Sequence, residues 1–176
     1  MDIGRYLIAL GVAAAVVLPT PAFAAAPGAN THAANSQVLL LLPLTLTKID
    51  DLDFGTVVSS GTSGTVALNA TTGARTFAGG VTGVTTTAGH RAYFAGAGTG
   101  GQQVVVIVIP PTQLTDVNGD TVDVLAMTID NGGNPLRTID PVTKTLFVGV
   151  GGILNIAGNQ PDGVYSSTFQ VTANYL

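Results

Sequence analysis

Cysteine, tryptophan and glutamate are missing from the whole chain of 176 residues, and charged side chains make up only 9% of it. Without cysteine there is no disulfide, no thiol nucleophile and no thiolate-held zinc. Without tryptophan, and with aromatics at 6% of the chain, a sugar-stacking face has few candidate rings. The carboxylates are all aspartate, and the histidines number two, His32 and His90. Lysine and arginine total six and are scattered, so no basic patch for nucleic acid is visible. Stability must therefore come from packing and from sheet hydrogen bonds.

The one long apolar run lies at the front. Arg5 precedes Leu7 to Leu18, Pro19 and Pro21 interrupt the run, and Ala22-Phe23-Ala24 supplies the small residues of a cleavage site. Twelve apolar residues fall short of the ~20 that span a bilayer. Residues 1–24 read as a secretory signal peptide, the mature protein is expected to start at Ala25 without a membrane span, and the chain is expected to be exported. A transient periplasmic stage would be followed by the cell surface or the medium. The absence of cysteine after the cleavage site argues against a lipid anchor.

Cleavage leaves 152 residues (176 less 24), enough for one domain with a sizeable core. That remainder carries nine aspartates against five lysines plus arginines, a net charge of −4. Threonine, valine and glycine dominate it. No window after the signal peptide has apolar residues at helical spacing, which predicts an all-β fold. Strands are expected at Gln37–Ile49, Asp53–Val58, Thr65–Ala70, Arg91–Ala95, Gln103–Ile109, Thr121–Ile129, Lys144–Val148, Ile153–Ile156 and Tyr165–Tyr175. Turn signals at Ser60-Gly61, Thr72-Gly73, Asn118-Gly119, Asn131-Gly132-Gly133 and Asp162-Gly163 separate them. Short strands at this spacing indicate a single β-sandwich over residues 37–176. Gln103–Ile109 is apolar on both faces and reads as a central strand stopped by Pro110-Pro111. Gly79 to Gly101 reads as a long loop, and residues 25–36 as a flexible arm.

The arm leads into Val38-Leu39-Leu40-Leu41-Leu42-Pro43-Leu44-Thr45-Leu46, continuous at first and alternating after the proline. Two readings stay open for Val38, Leu40, Leu42, Leu44 and Leu46. They form an internal first strand, or their beginning leaves the domain and inserts into a neighbour that lacks a strand. Burying about five aliphatic side chains at roughly 1.5–3 kcal/mol each gives on the order of 10 kcal/mol before ordering costs, the scale of a whole domain's stability.

Patterns that could carry chemistry are incomplete. Asp116, Asn118, Asp120 and Asp123 could offer oxygens to calcium, but Gly119 precedes the third ligand and the twelfth position is Met127, so a hairpin turn at Asn118-Gly119 is the simpler reading. Asp50, Asp51 and Asp53 alternate with Leu52 and Phe54 and read as the wet face of a strand. The glycines of Gly96 to Gly101 spell a dinucleotide fingerprint, yet a Val/Ile strand follows where a helix is required. His32 and His90 have no evident catalytic partner. No enzyme activity, metal or cofactor is expected.

The last fourteen residues, Gly163 to Leu176, carry the strongest pattern: glycine, then alternation to a penultimate tyrosine. Tyr165, Phe169, Val171, Ala173 and Tyr175 share one face and predict a buried terminal strand. A domain that ends inside its own core is expected to need another chain. Together with Leu44-Thr45-Leu46, Asp51-Leu52-Asp53-Phe54-Gly55-Thr56-Val57 and Phe147-Val148-Gly149-Val150-Gly151, this ending resembles the bacterial secreted family known as domain of unknown function 4402. That family is similar to the pilin-like adhesins, including major subunits of chaperone-usher fimbriae. The resemblance implies an immunoglobulin-like, pilin-like sandwich missing its last strand, completed by a periplasmic chaperone and then by the next subunit. It also implies that Gly163 and Tyr175 take the places of the pilins' glycine and penultimate tyrosine. Two function classes follow: a fibre-forming surface subunit, or a monomeric secreted or outer-surface module that binds glycan or a matrix polymer.

Overall fold

The computed structural model describes residues 32–176. The signal peptide expected over residues 1–24 and most of the arm expected over residues 25–36 lie outside the described residues. Ten strands follow one another: β1 (Thr45–Asp50), β2 (Val57–Leu68), β3 (Arg75–Gly83), β4 (Ala92–Ala97), β5 (Gln103–Ile109), β6 (Gln113–Thr115), β7 (Thr121–Ile129), β8 (Leu136–Thr138), β9 (Thr145–Ile156) and β10 (Gln170–Tyr175). The only helical element among the described residues is a single 3-10 turn at Asn131–Gly133. The fold is all-β, as the periodicity predicts.

Two antiparallel sheets make a sandwich. In the larger, β9 is the spine: one edge pairs with β4 through Thr145–Val150 and then with β2 through Gly152–Ile156, while the other edge carries β7. β1 flanks β4, β3 flanks β2 and β6 flanks β7. The smaller sheet has the order β10-β5-β8. Inward residues of both sheets, among them Ala92, Phe94, Val104, Val106, Leu146, Val148 and Val150, form the main core together with Ile139 just after β8. A second cluster of Val66, Val81, Val122, Leu154 and Ile156 sits under the far half of β9.

Several expected boundaries move. The lone strand expected at Asp53–Val58 and the one at Thr65–Ala70 are one long β2, and Ser60-Gly61 lies in an irregularity of its pairing with β3 rather than in a separating turn. Asp53 makes only an isolated bridge to His90. Gly79 to Gly101 is not a long loop: it contains the end of β3 and all of β4. Lys144–Val148 and Ile153–Ile156 fuse into β9 because the intervening Gly149-Val150-Gly151-Gly152 stays extended. β5 is central in its sheet and ends before Pro110, but its outer face leaves Ile107 and Ile109 half exposed, since no third layer covers it. The turn between β6 and β7 spans Asp116 to Asp120, longer than the two-residue Asn118-Gly119 turn expected. Strand pairing for the leucine run starts at Thr45, not Gln37.

Candidate functional site: an open seam beside the C-terminal strand

β10 is an edge. Among the described residues it pairs only with β5, in the register Gln170↔Ile109 to Tyr175↔Val104. The amide of Leu176 donates to Gln103 O at 3.1 Å, which makes the even-numbered residues of β10 the hydrogen-bonded partners of β5. Val171, Ala173 and Tyr175 therefore turn their peptide groups toward the open side. Their side chains lie half-buried on the core, and Gln170, Thr172 and Asn174 are exposed. The sequence predicts a buried terminal strand; the structure corrects this to a half-buried one, because one neighbour is missing.

The strand expected from Tyr165 begins only at Gln170, and residues 163–169 before it lie outside any strand. Ser166 and Thr115 exchange two backbone hydrogen bonds of 3.0 Å, an isolated bridge that ties this segment to the end of β6. Between this segment and the stretch from Leu52 to Ser59 opens a cleft of about 810 Å³. Its floor is the second core cluster, with Val66, Leu154 and Ile156, and Phe54, Val57, Tyr165 and Phe169 line its sides. Phe169 packs edge-on to Phe94 with ring centroids 6.3 Å apart, joining the cleft to the main core.

Both walls are fastened by polar groups. The Tyr165 hydroxyl donates to Pro161 O at 2.8 Å and accepts from Gln160 Nε2 at 3.0 Å. On the opposite wall, the guanidinium of Arg75 reaches four carbonyls: Phe54 O at 2.7 Å, Thr56 O at 3.2 Å, Thr87 O at 3.1 Å and Val84 O at 2.9 Å. Gly55 sits at this junction with φ +68°, and a Cβ there would meet Thr87 O at 2.1 Å. Glycine is required by both backbone conformation and space. Arg75 is a site residue that sequence reasoning missed, as it appears there only as an isolated charge in a Thr/Phe-rich strand.

Gly163 gains a physical reason for being glycine: a Cβ would stand 3.0 Å from Asp116 Oδ2. Asp116 is buried and organises the β6–β7 turn, accepting from the amides of Asn118 at 2.9 Å and Asp120 at 2.8 Å and from Asn118 Nδ2 at 2.9 Å. Burial pushes its carboxyl up, but the bonds from the Asp120 backbone, the Asn118 side chain and amide and the Gly119 amide outweigh this and hold it below the usual aspartate value. Asp123 accepts instead from Gln113 Nε2 at 2.9 Å. Among the described residues no three acidic or histidine side chains converge on a possible metal position. Asp53 Oδ1 caps the Gly55 amide at 2.7 Å, and Asp51 faces Lys48. Gly96 lies in β4, and Gly98 to Gly101 form a strand-to-strand turn leading to β5.

At the other end the seam is closed. The amide of Thr99 donates to the Tyr175 hydroxyl at 2.7 Å, the hydroxyl donates to Leu42 O at 2.9 Å, and the Leu42 amide donates to Thr99 Oγ1 at 2.7 Å. Leu44 and Leu46 pack half-buried against the main core. Val38, Leu40 and Leu42 lie outside any strand with 82%, 83% and 53% of their surface exposed. The structure thus divides the leucine run: Leu44 and Leu46 belong to the domain, whereas Val38 to Leu42 precede its first strand.

The family described as Domain of unknown function (DUF4402) matches residues 44–175, from the first inward leucine to the clamped tyrosine. The chain belongs to the DUF4402 family. No curated protein and no solved structure matches it. Within this DUF4402 chain no helix of the described residues is long and apolar enough to cross a membrane.

Proposed function

We propose that this DUF4402 protein is an exported structural subunit of the bacterial surface that assembles by strand complementation, with a strand from a second copy adding to the open side of β10. The observation that carries the reading is the coincidence of an unpaired strand edge with a cleft of apolar floor just beyond its Phe169 end. Edges of this kind are templates for pairing with another chain. Main-chain bonds to Val171, Ala173 and Tyr175 would supply affinity, and apolar side chains entering the cleft would supply specificity. Val38 to Leu42 is the segment whose chemistry fits: uncharged, aliphatic and exposed except at the half-buried Leu41. Ordering five residues costs roughly 1–2 kcal/mol each for the backbone, which offsets much of their burial, so the strand edge and the cleft must act together. Pilin-like subunits work in this way, and the resemblance in the terminal strand points in the same direction. A periplasmic chaperone would cover the same seam before assembly.

The test is light scattering after size exclusion on the processed protein, on a form lacking residues 25–41, and on that form with a peptide covering residues 36–46. Concentration-dependent assembly of the full form, loss of it on truncation and saturable binding of the peptide are expected. A monomer that ignores the peptide overturns the reading and favours the second one, a monomeric surface module. A cleft of about 810 Å³ falls within the range of ligand pockets, and in that case the cleft would take a ligand rather than a strand.

A further inference from the structure

The closed end of the seam constrains which copy can fill the open end. Leu42 is held on both sides of its peptide, by Thr99 Oγ1 on its amide and by the Tyr175 hydroxyl on its carbonyl. The hydroxyl is itself fixed by the Thr99 amide, and Gly98 lies so close that a Cβ there would meet the hydroxyl oxygen at 2.3 Å. The leucine run is thus rooted at the Tyr175 end of β10. The cleft begins at the opposite end, at Phe169, and continues to Tyr165 and Gly163.

Strand geometry turns this into a distance. From Tyr175 back to Phe169 is six steps of the chain, or about 20 Å at ~3.3 Å each. From Leu42 to Val38 is four steps, at most about 14 Å when fully extended. A run that doubled back from its root would end short of the cleft. Residues further upstream could reach, but residues 25–36 offer only alanine as an aliphatic side chain, so a chain filling its own cleft would bring methyl groups where aliphatic branches are needed.

On the strand-complementation reading, we infer that the Tyr175–Leu42–Thr99 clamp is a positioning device that forbids self-filling and commits the leucines of each copy to the cleft of another. Tyr175 is therefore more than an apolar residue of a terminal strand. Its ring packs on the core, while its hydroxyl determines whether donation occurs within a chain or between chains.

The experiment compares the full processed chain with its Tyr175→Phe variant, which keeps the ring and removes the hydroxyl, and with Thr99→Val, which removes the acceptor for the Leu42 amide. At equal concentration both variants are expected to assemble on the order of tenfold less than the parent, as expected for loss of one or two net hydrogen bonds. In their isolated monomers the amides of Leu39 to Leu41 should be protected from hydrogen exchange, whereas the parent monomer leaves them unprotected. Protection marks self-filling and separates it from simple damage to the strand. Variants that assemble as well as the parent or better, or whose monomers leave those amides unprotected, overturn the clamp's role while strand addition stands. Failure of the parent itself to assemble removes the reading on which the clamp rests.

Discussion

The two ends of the seam are built from the same materials to opposite effect. Around Tyr175 the sheets close on each other: Val104, Val106, Ile139 and Val148 are almost fully buried, and a hydroxyl joins three backbone segments. Around Phe169 and Tyr165 the sheets stand apart over a floor that is just as apolar, with Leu154 and Ile156 at its base. Hydrophobic content does not distinguish them. What differs is what fills the space: at the closed end Leu42 and Thr99 meet the Tyr175 hydroxyl, whereas at the open end a cleft remains between residues 163–169 and residues 52–59. The floor residues are themselves buried, so the open end is a gap between two walls rather than an exposed apolar patch.

Altering one end and then the other tests this contrast. Ile139→Ala in the closed end removes a fully buried side chain and should cost about 2–5 kcal/mol, read as a lower urea midpoint whether or not a strand peptide is bound. Phe169→Ala in the open end removes a half-buried ring, so about half of the usual 3–5 kcal/mol is expected in the free protein, together with loss of the stabilisation that added peptide gives the parent. If Ile139→Ala also removed the peptide's effect, or Phe169→Ala kept it, the two ends would not be functionally distinct.

Arg75→Met addresses the wall of the cleft rather than its contents. The four carbonyls that converge on the guanidinium would lose their donor, at a cost of about 2–3 kcal/mol. Thermal melting gives the stability, and peptide titration should show weaker binding than in the parent, since the segment from Phe54 to Thr56 would no longer be held in place. Unchanged peptide affinity in a folded variant would mean that the wall is rigid without Arg75.

Much of this architecture was legible in the sequence because it depends on period and punctuation. The alternation of Val171, Ala173 and Tyr175 appears as one half-buried face, β7 has the expected limits, and β5 stops before Pro110. Glycine-rich stretches misled for a physical reason. Gly79-Gly80 in β3 and Gly149 to Gly152 in β9 carry few side chains to show a period, and both belong to strands whose neighbours approach closely. The inward face of the last strand was legible, but the pairing state of that strand and the part played by Arg75 were not. Alternation locates the inward face of a strand, while the absence of its second neighbour is a property of the whole sheet order. The Thr99 part of the clamp leaves no local signal, since it depends on a turn 76 residues from Tyr175.

The smallest effect concerns the turn behind Gly163. The Asp116 carboxyl is held below its ordinary value, because the hydrogen bonds it accepts from the Asp120 backbone and from Asn118 outweigh the upward push of burial. A folded value below the unfolded one, ~3.9, means that the carboxylate stabilises the fold at pH values above the unfolded pKa, and that this contribution fades as pH falls through the folded value. Asp116→Asn should therefore lower the urea midpoint near neutral pH, and the gap from the parent should narrow in acid. Asp140 makes a control that does not line the cleft: the Thr143 and Val142 amides lower its carboxyl in the same direction. Asp140→Asn should show the same pH trend with peptide binding unchanged. Asp116→Asn should weaken binding as well, because an amide nitrogen facing Asn118 Nδ2 sets donor against donor beside Gly163. If the two variants affected peptide affinity alike, Asp116 would support the turn and not the cleft wall, and the backbone bonds between Ser166 and Thr115 would be sufficient to hold that wall in register.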